Sequence, residues 1–127
     1  MNSYLQINDG TTNKYLRVVA PSYEVGHITP ELVTRSLTSK AVRSIATPYR
    51  YWQFVARVQA TESGSYAPWS TIEGWLTKTS LTLTDFENNS YPVVLVTGGT
   101  LTRQHQVSVI DSAQAFSYVA LRFEELL

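Results

Sequence analysis

The stretch Tyr49-Arg50-Tyr51-Trp52-Gln53-Phe54-Val55-Ala56-Arg57-Val58-Gln59-Ala60 decides the fold class of this chain. Trp52, Phe54, Ala56, Val58 and Ala60 fall on one side of an extended backbone, and Tyr51, Gln53, Val55, Arg57 and Gln59 on the other. Period-two alternation of this length marks a strand with one buried face. It makes Trp52 a core anchor, since a large ring within an apolar stripe is most stable under cover.

The same pattern returns at the other end of the chain, over Phe116 to Leu126. Val119, Leu121 and Phe123 share one face, and Tyr118, Ala120, Arg122 and Glu124 the other. Between these two segments, Leu81 to Phe86, Tyr91 to Thr97 and Leu101 to Ile110 read as strands. They are separated by the turn-forming runs Glu87-Asn88-Asn89-Ser90, Gly98-Gly99 and Asp111-Ser112-Ala113-Gln114. Near the start, Tyr4 to Ile7 and Lys14 to Ala20 flank Asp9-Gly10, a short hairpin signal. Pro21 to Pro30 reads as an extended connection.

One helix is predicted, from about Ser70 to Lys78. Ser70 and Glu73 have capping-box spacing, and Trp69, Ile72 and Leu76 recur at helical intervals. Trp75 lies about 100° off the Ile72–Leu76 line. With Tyr66 and Trp69 it forms a candidate exposed aromatic patch.

The expected architecture is mainly β: a β-sandwich or flattened barrel with one short flanking helix, the whole of residues 1–127 forming a single domain. A length of 127 residues suits one core.

Composition narrows function. Charged residues are only 16% of the chain, and ten acids balance ten bases. No cationic run is present to release counterions from phosphates, so nucleic-acid binding is not expected. The absence of cysteine excludes disulfides, thiolate metal sites and cysteine nucleophiles. His27 and His105 lack companions at ligand spacing, and no metal or cofactor is expected. No P-loop, G-x-S-x-G or H-E-x-x-H motif occurs, and the chain does not read as an enzyme. Glu73 reads as a helix cap, Asp85 as a turn former, and Glu124 and Glu125 as a strand end in solvent. No apolar run is long enough to span a bilayer, and the first residues lack a secretory pattern.

The segment Leu32 to Ala46 mixes Leu37, Val42 and Ile45 with Arg35, Lys40 and Arg43. It reads either as an assembly arm turning near Ser39 or as an ordinary edge hairpin on its own sheet. In the first case these six residues form the candidate interface with another subunit.

Thr34-Arg35-Ser36-Leu37-Thr38-Ser39-Lys40 precedes the Trp-centred strand with Tyr51-Trp52-Gln53-Phe54. A short helix with Trp75-Leu76 follows, then Leu81-Thr82-Leu83-Thr84-Asp85-Phe86 and a final strand closing on Arg122-Phe123-Glu124-Glu125. Over Thr34 to Glu125 this order resembles phage tail proteins of the distal-tail and minor-tail kind. Ser39 stands where that family usually has Gly, and Asn88-Asn89 where it has a turn Gly. The resemblance implies a β-sandwich with a protruding hairpin. It further implies assembly with copies of itself, commonly as a hexameric ring, and contact with other tail proteins in the virion. The subunit would be made in the host cytoplasm and would need no chemistry of its own. The competing expectation is a carbohydrate-binding module using Tyr66, Trp69 and Trp75 as a stacking platform. A weaker one is an immunoglobulin-like adhesion domain.

Overall fold

The computed structural model describes residues 4–35, 41–45, 47–59, 64–106 and 116–126. Two long strands form its spine. β6 (Tyr49–Gln59) and β10 (Phe116–Glu125) pair antiparallel along nearly their whole length, from Phe116↔Gln59 to Glu124↔Tyr51. The alternation read in the sequence is realised in both: Trp52, Phe54, Ala56, Val58, Val119, Leu121 and Phe123 are all buried.

The spine closes a barrel. β1 (Leu5–Asn8), β2 (Asn13–Val18), β7 (Leu81–Thr84) and β8 (Ser90–Leu95) complete a ring in the order β6-β2-β1-β7-β8-β10, and β10 returns to β6. Every pairing in the ring is antiparallel. Of the two forms expected, sandwich or flattened barrel, the strand order gives the closed one. Closure leaves no sheet edge within the ring, and the inward side chains meet in one core cluster.

Two strands extend the ring along the spine. β3 (Glu24–Ile28) pairs with the first half of β6, and β9 (Arg103–Gln106) with the first half of β10. One edge of β6 is therefore shared by β2 and β3. Where β2 ends, Ser22 in a 3₁₀ turn at Ala20–Ser22 takes over as partner: its Oγ accepts the Val55 N–H at 2.8 Å. Pro21 to Pro30 is thus not simply an extended connection but a turn followed by a strand. β3 is held at an unusual point. Gly26 lies opposite Tyr51, and a Cβ there would fall within 2.5–2.6 Å of the Tyr51 ring.

The helix α1 (Trp69–Trp75) links β6 to β7. It starts one residue before the predicted Ser70 and stops short of Lys78. Pro68 occupies the N-cap, and its carbonyl accepts the Thr71 and Ile72 N–H groups. Ser70 is already inside the first turn, so the Ser70–Glu73 capping box does not form, and no side chain caps the helix. The buried face is Ile72 and Trp75, while Leu76 is 46% exposed. Trp75 is thus a core residue: its ring meets Phe123 edge-on at 6.2 Å, and Phe123 stacks on Phe54 at 6.0 Å.

The turns follow their residue chemistry. Asp9 Oδ1 accepts the Thr11 and Thr12 N–H groups between β1 and β2. Asp85 Oδ1 accepts those of Glu87 and Asn89 between β7 and β8. There Asn88 adopts φ 67°, a left-handed conformation asparagine tolerates.

Candidate functional site

The strands Glu31–Arg35 (β4) and Ala41–Ile45 (β5) form a separate two-stranded sheet. Its position follows from the register of β3 on β6. That pairing ends at Ile28↔Tyr49, so the arm is a hairpin inserted into the loop of another hairpin. Among the described residues, β4 and β5 pair only with each other. Of the two readings of Leu32 to Ala46, the edge hairpin on the barrel sheet is not formed among the described residues. Leu37, Ser39 and Lys40 lie outside the described residues. Arg35, Val42, Arg43 and Ile45 occupy strand positions on the arm, opposite Ala41, Thr34, Val33 and Glu31. The charged positions Glu31, Arg35 and Arg43 all fall in one alternate set of pairs. The other set is Leu32↔Ser44 and Thr34↔Val42, which is uncharged. Val33 is 55% exposed.

The barrel body uses its own arginines internally. Arg17 lies 3.7 Å from the Tyr66 ring centroid and Arg57 4.2 Å from that of Phe116. Arg122 covers Tyr51 at 4.2 Å, Arg50 covers Tyr91 at 4.9 Å, and Arg103 covers Trp69 at 5.1 Å. These are five of the chain's seven arginines, and the other two are Arg35 and Arg43 of the arm. A guanidinium stacks well because it is planar and weakly hydrated. Arg103 also donates from Nε to Ser117 Oγ at 2.7 Å, tying β9 to β10 beneath the start of α1.

The expected aromatic patch is not assembled. Trp75 is buried, Trp69 is half-buried under Arg103, and Tyr66 is half-buried under Arg17. Tyr66 instead joins Tyr4 and Tyr15, with ring centroids 5.4–6.3 Å apart. Sequence reasoning missed this trio because its members come from the first strands and from a segment fifty residues later. Nor do the terminal acids lie free in solvent. Glu125, its side chain 12% exposed, accepts the Arg50 N–H and pairs with that guanidinium at 3.4 Å, and Glu124 pairs with Arg122 at 3.1 Å.

Two of the clefts on the described surface carry charged side chains. The larger, about 480 Å³, is lined by Tyr4, Val19, Phe86 and Tyr118 together with Arg17 and Arg57. The smaller, about 270 Å³, lies between β3 and the β7–β8 turn. Tyr23, Phe86 and Tyr91 supply rings there, Val25 an exposed apolar rim, and Asp85 and Glu87 negative charge. Its one cation, Arg50, is already paired with Glu125. Burial pushes the Tyr23 phenol up to about 12, and the charges of Asp85 and Glu87 add to the shift. The Tyr51 phenol is also raised, by its hydrogen bond to Glu24.

Among the described residues, no three His, Asp or Glu side chains gather as a metal set would require. His105 is exposed on β9. No helix among these residues is long and apolar enough to cross a membrane. The chain matches no protein-family model, and no curated protein is similar enough to count as a match.

Proposed function

We propose that this chain is a structural subunit of a phage tail, assembling with copies of itself into a ring in the tail tip or tube. The single observation that carries the reading is the arm, whose two strands pair with each other and with no barrel strand among the described residues. An isolated two-stranded hairpin is marginal in water. The outer edges of such a hairpin carry N–H and C=O groups that a second chain can satisfy. A body closed on itself with a self-paired arm is therefore built to place that arm on a neighbour. The resemblance of Thr34 to Glu125 to distal-tail and minor-tail proteins supplies the setting, the virion, and six as the expected number of copies. The neutral, Thr-rich composition suits a subunit packed among others. The sugar-binding alternative has no comparable support, since Trp75 of its platform is buried.

Sedimentation velocity over a wide concentration range tests the reading. A closed oligomer of fixed copy number, imaged as rings by negative-stain microscopy, is expected. A monomer at every concentration refutes it.

A further inference from the structure

We propose that the arm of one copy docks in the acidic, aromatic cleft of the next, with Arg35 and Arg43 meeting Asp85 and Glu87. The inference rests on the assembly reading above and names its receptor.

Charge distinguishes these two charged clefts. The segment Glu31–Ile45 carries Arg35, Lys40 and Arg43 against one acid, Glu31. The larger cleft presents Arg57, which repels such a segment. The smaller presents Asp85 and Glu87, and its Arg50 is neutralised by Glu125. Neither Asp85 nor Glu87 forms an ion pair among the described residues. The rings add a second attraction, because a guanidinium packs on aromatic faces as five others already do in this chain. Val25 at the rim and Val33 on the arm are both exposed apolar residues that a docked arm could cover.

Symmetry is consistent with this pairing. Arm and cleft are different patches of one chain, so each contact is head-to-tail, and a head-to-tail contact that closes makes a ring. None of the described residues lining the cleft belongs to the arm of the same chain.

The test uses the full chain and charge reversal. Glu87 is exposed and Asp85 anchors its turn, so Glu87→Lys is the cleft variant. The combined Arg35→Glu and Arg43→Glu change is the arm variant. Each is expected to raise the concentration needed for assembly by roughly tenfold or more while leaving the circular dichroism spectrum unchanged. Joining Glu87→Lys to Arg43→Glu in one chain restores part of the loss. Mixing the cleft variant with the arm variant leaves one good contact per pair and yields dimers that grow no further. If Glu87→Lys assembles like the parent while the arm variant does not, the arm docks elsewhere and only this inference falls. If the parent is monomeric throughout, the assembly reading falls with it.

Discussion

Replacing Trp75 with alanine tests the fold where local pattern and observed packing disagree most. Trp75 is 2% exposed and reaches Phe123 at 6.2 Å, while Leu76, the residue that helical spacing favours, is 46% exposed. Removing a buried indole loses its transfer free energy and leaves a cavity, together about 3–5 kcal/mol. Loss of the edge-on contact with Phe123 is included in that figure, at about 0.5–1.5 kcal/mol. A chain of this size changes entropy by about 0.27 kcal/mol/K on unfolding, so the midpoint should fall by roughly 11–19 °C. Leu76→Ala removes little buried area and should shift stability by less than about 0.5 kcal/mol. Differential scanning calorimetry of both variants reads the contrast. A Trp75→Ala midpoint within about 2 °C of the parent, or a Leu76→Ala loss of equal size, refutes the docking of α1 through Trp75.

Gly26→Ala should cost about 1–2 kcal/mol in urea unfolding, because the new Cβ displaces the Tyr51 ring from Glu24 and Arg122. In a Tyr51→Ala background the same change should be almost silent. Asp9→Ala should cost about 1 kcal/mol at pH 7 through lost hydrogen bonds to the Thr12 and Thr11 N–H groups. Those bonds, Thr12's first, hold the Asp9 carboxyl well below its usual range. A lowered folded pKa stabilises above the unfolded value near about 4, so the gap between parent and variant should narrow as pH falls below that. Tyr23 has its pKa raised to about 12, so its contribution is complete below an unfolded value near about 10 and is lost as pH rises toward 12. Tyr23→Phe should remove a late tyrosinate step from the ultraviolet titration, and Glu87→Gln should move that step to lower pH.

What the sequence could convey followed the range of the forces involved. The inner faces of β6 and β10 were legible because strand alternation is local: Trp52 and Phe54 announce their side within four residues. The turn roles of Asp85 and Asn88 were legible for the same reason. α1 was legible as a helix, but its buried face was not, because two helical turns carrying Trp69, Ile72, Trp75 and Leu76 offer more than one apolar stripe. The contact of Trp75 with Phe123, 48 positions away, decides between them. β3 was hidden by Pro21, Pro30 and Gly26, all poor strand signals. It exists because β6 offers an open edge and the Tyr51 ring covers the glycine. Glu125 looked like a solvated end, since its partner Arg50 lies 75 positions away. The arm was legible as a strand pair, but whether it stands off the barrel or lies along its sheet was left open by local pattern. That depends on the long pairing of β6 with β10, which fills the place an edge hairpin could have taken.

The proposed role requires the arm to be an assembly device and not part of the folding core. Because Ile28 pairs with Tyr49 at its base, residues 31–45 can be cut out and the ends joined by a short Gly-Ser turn without altering the barrel register. Native mass spectrometry of the intact and excised chains at one high concentration compares them directly. A closed multiple of the subunit mass is expected for the intact chain and a folded monomer for the excised one. The same oligomer from both chains would contradict that role.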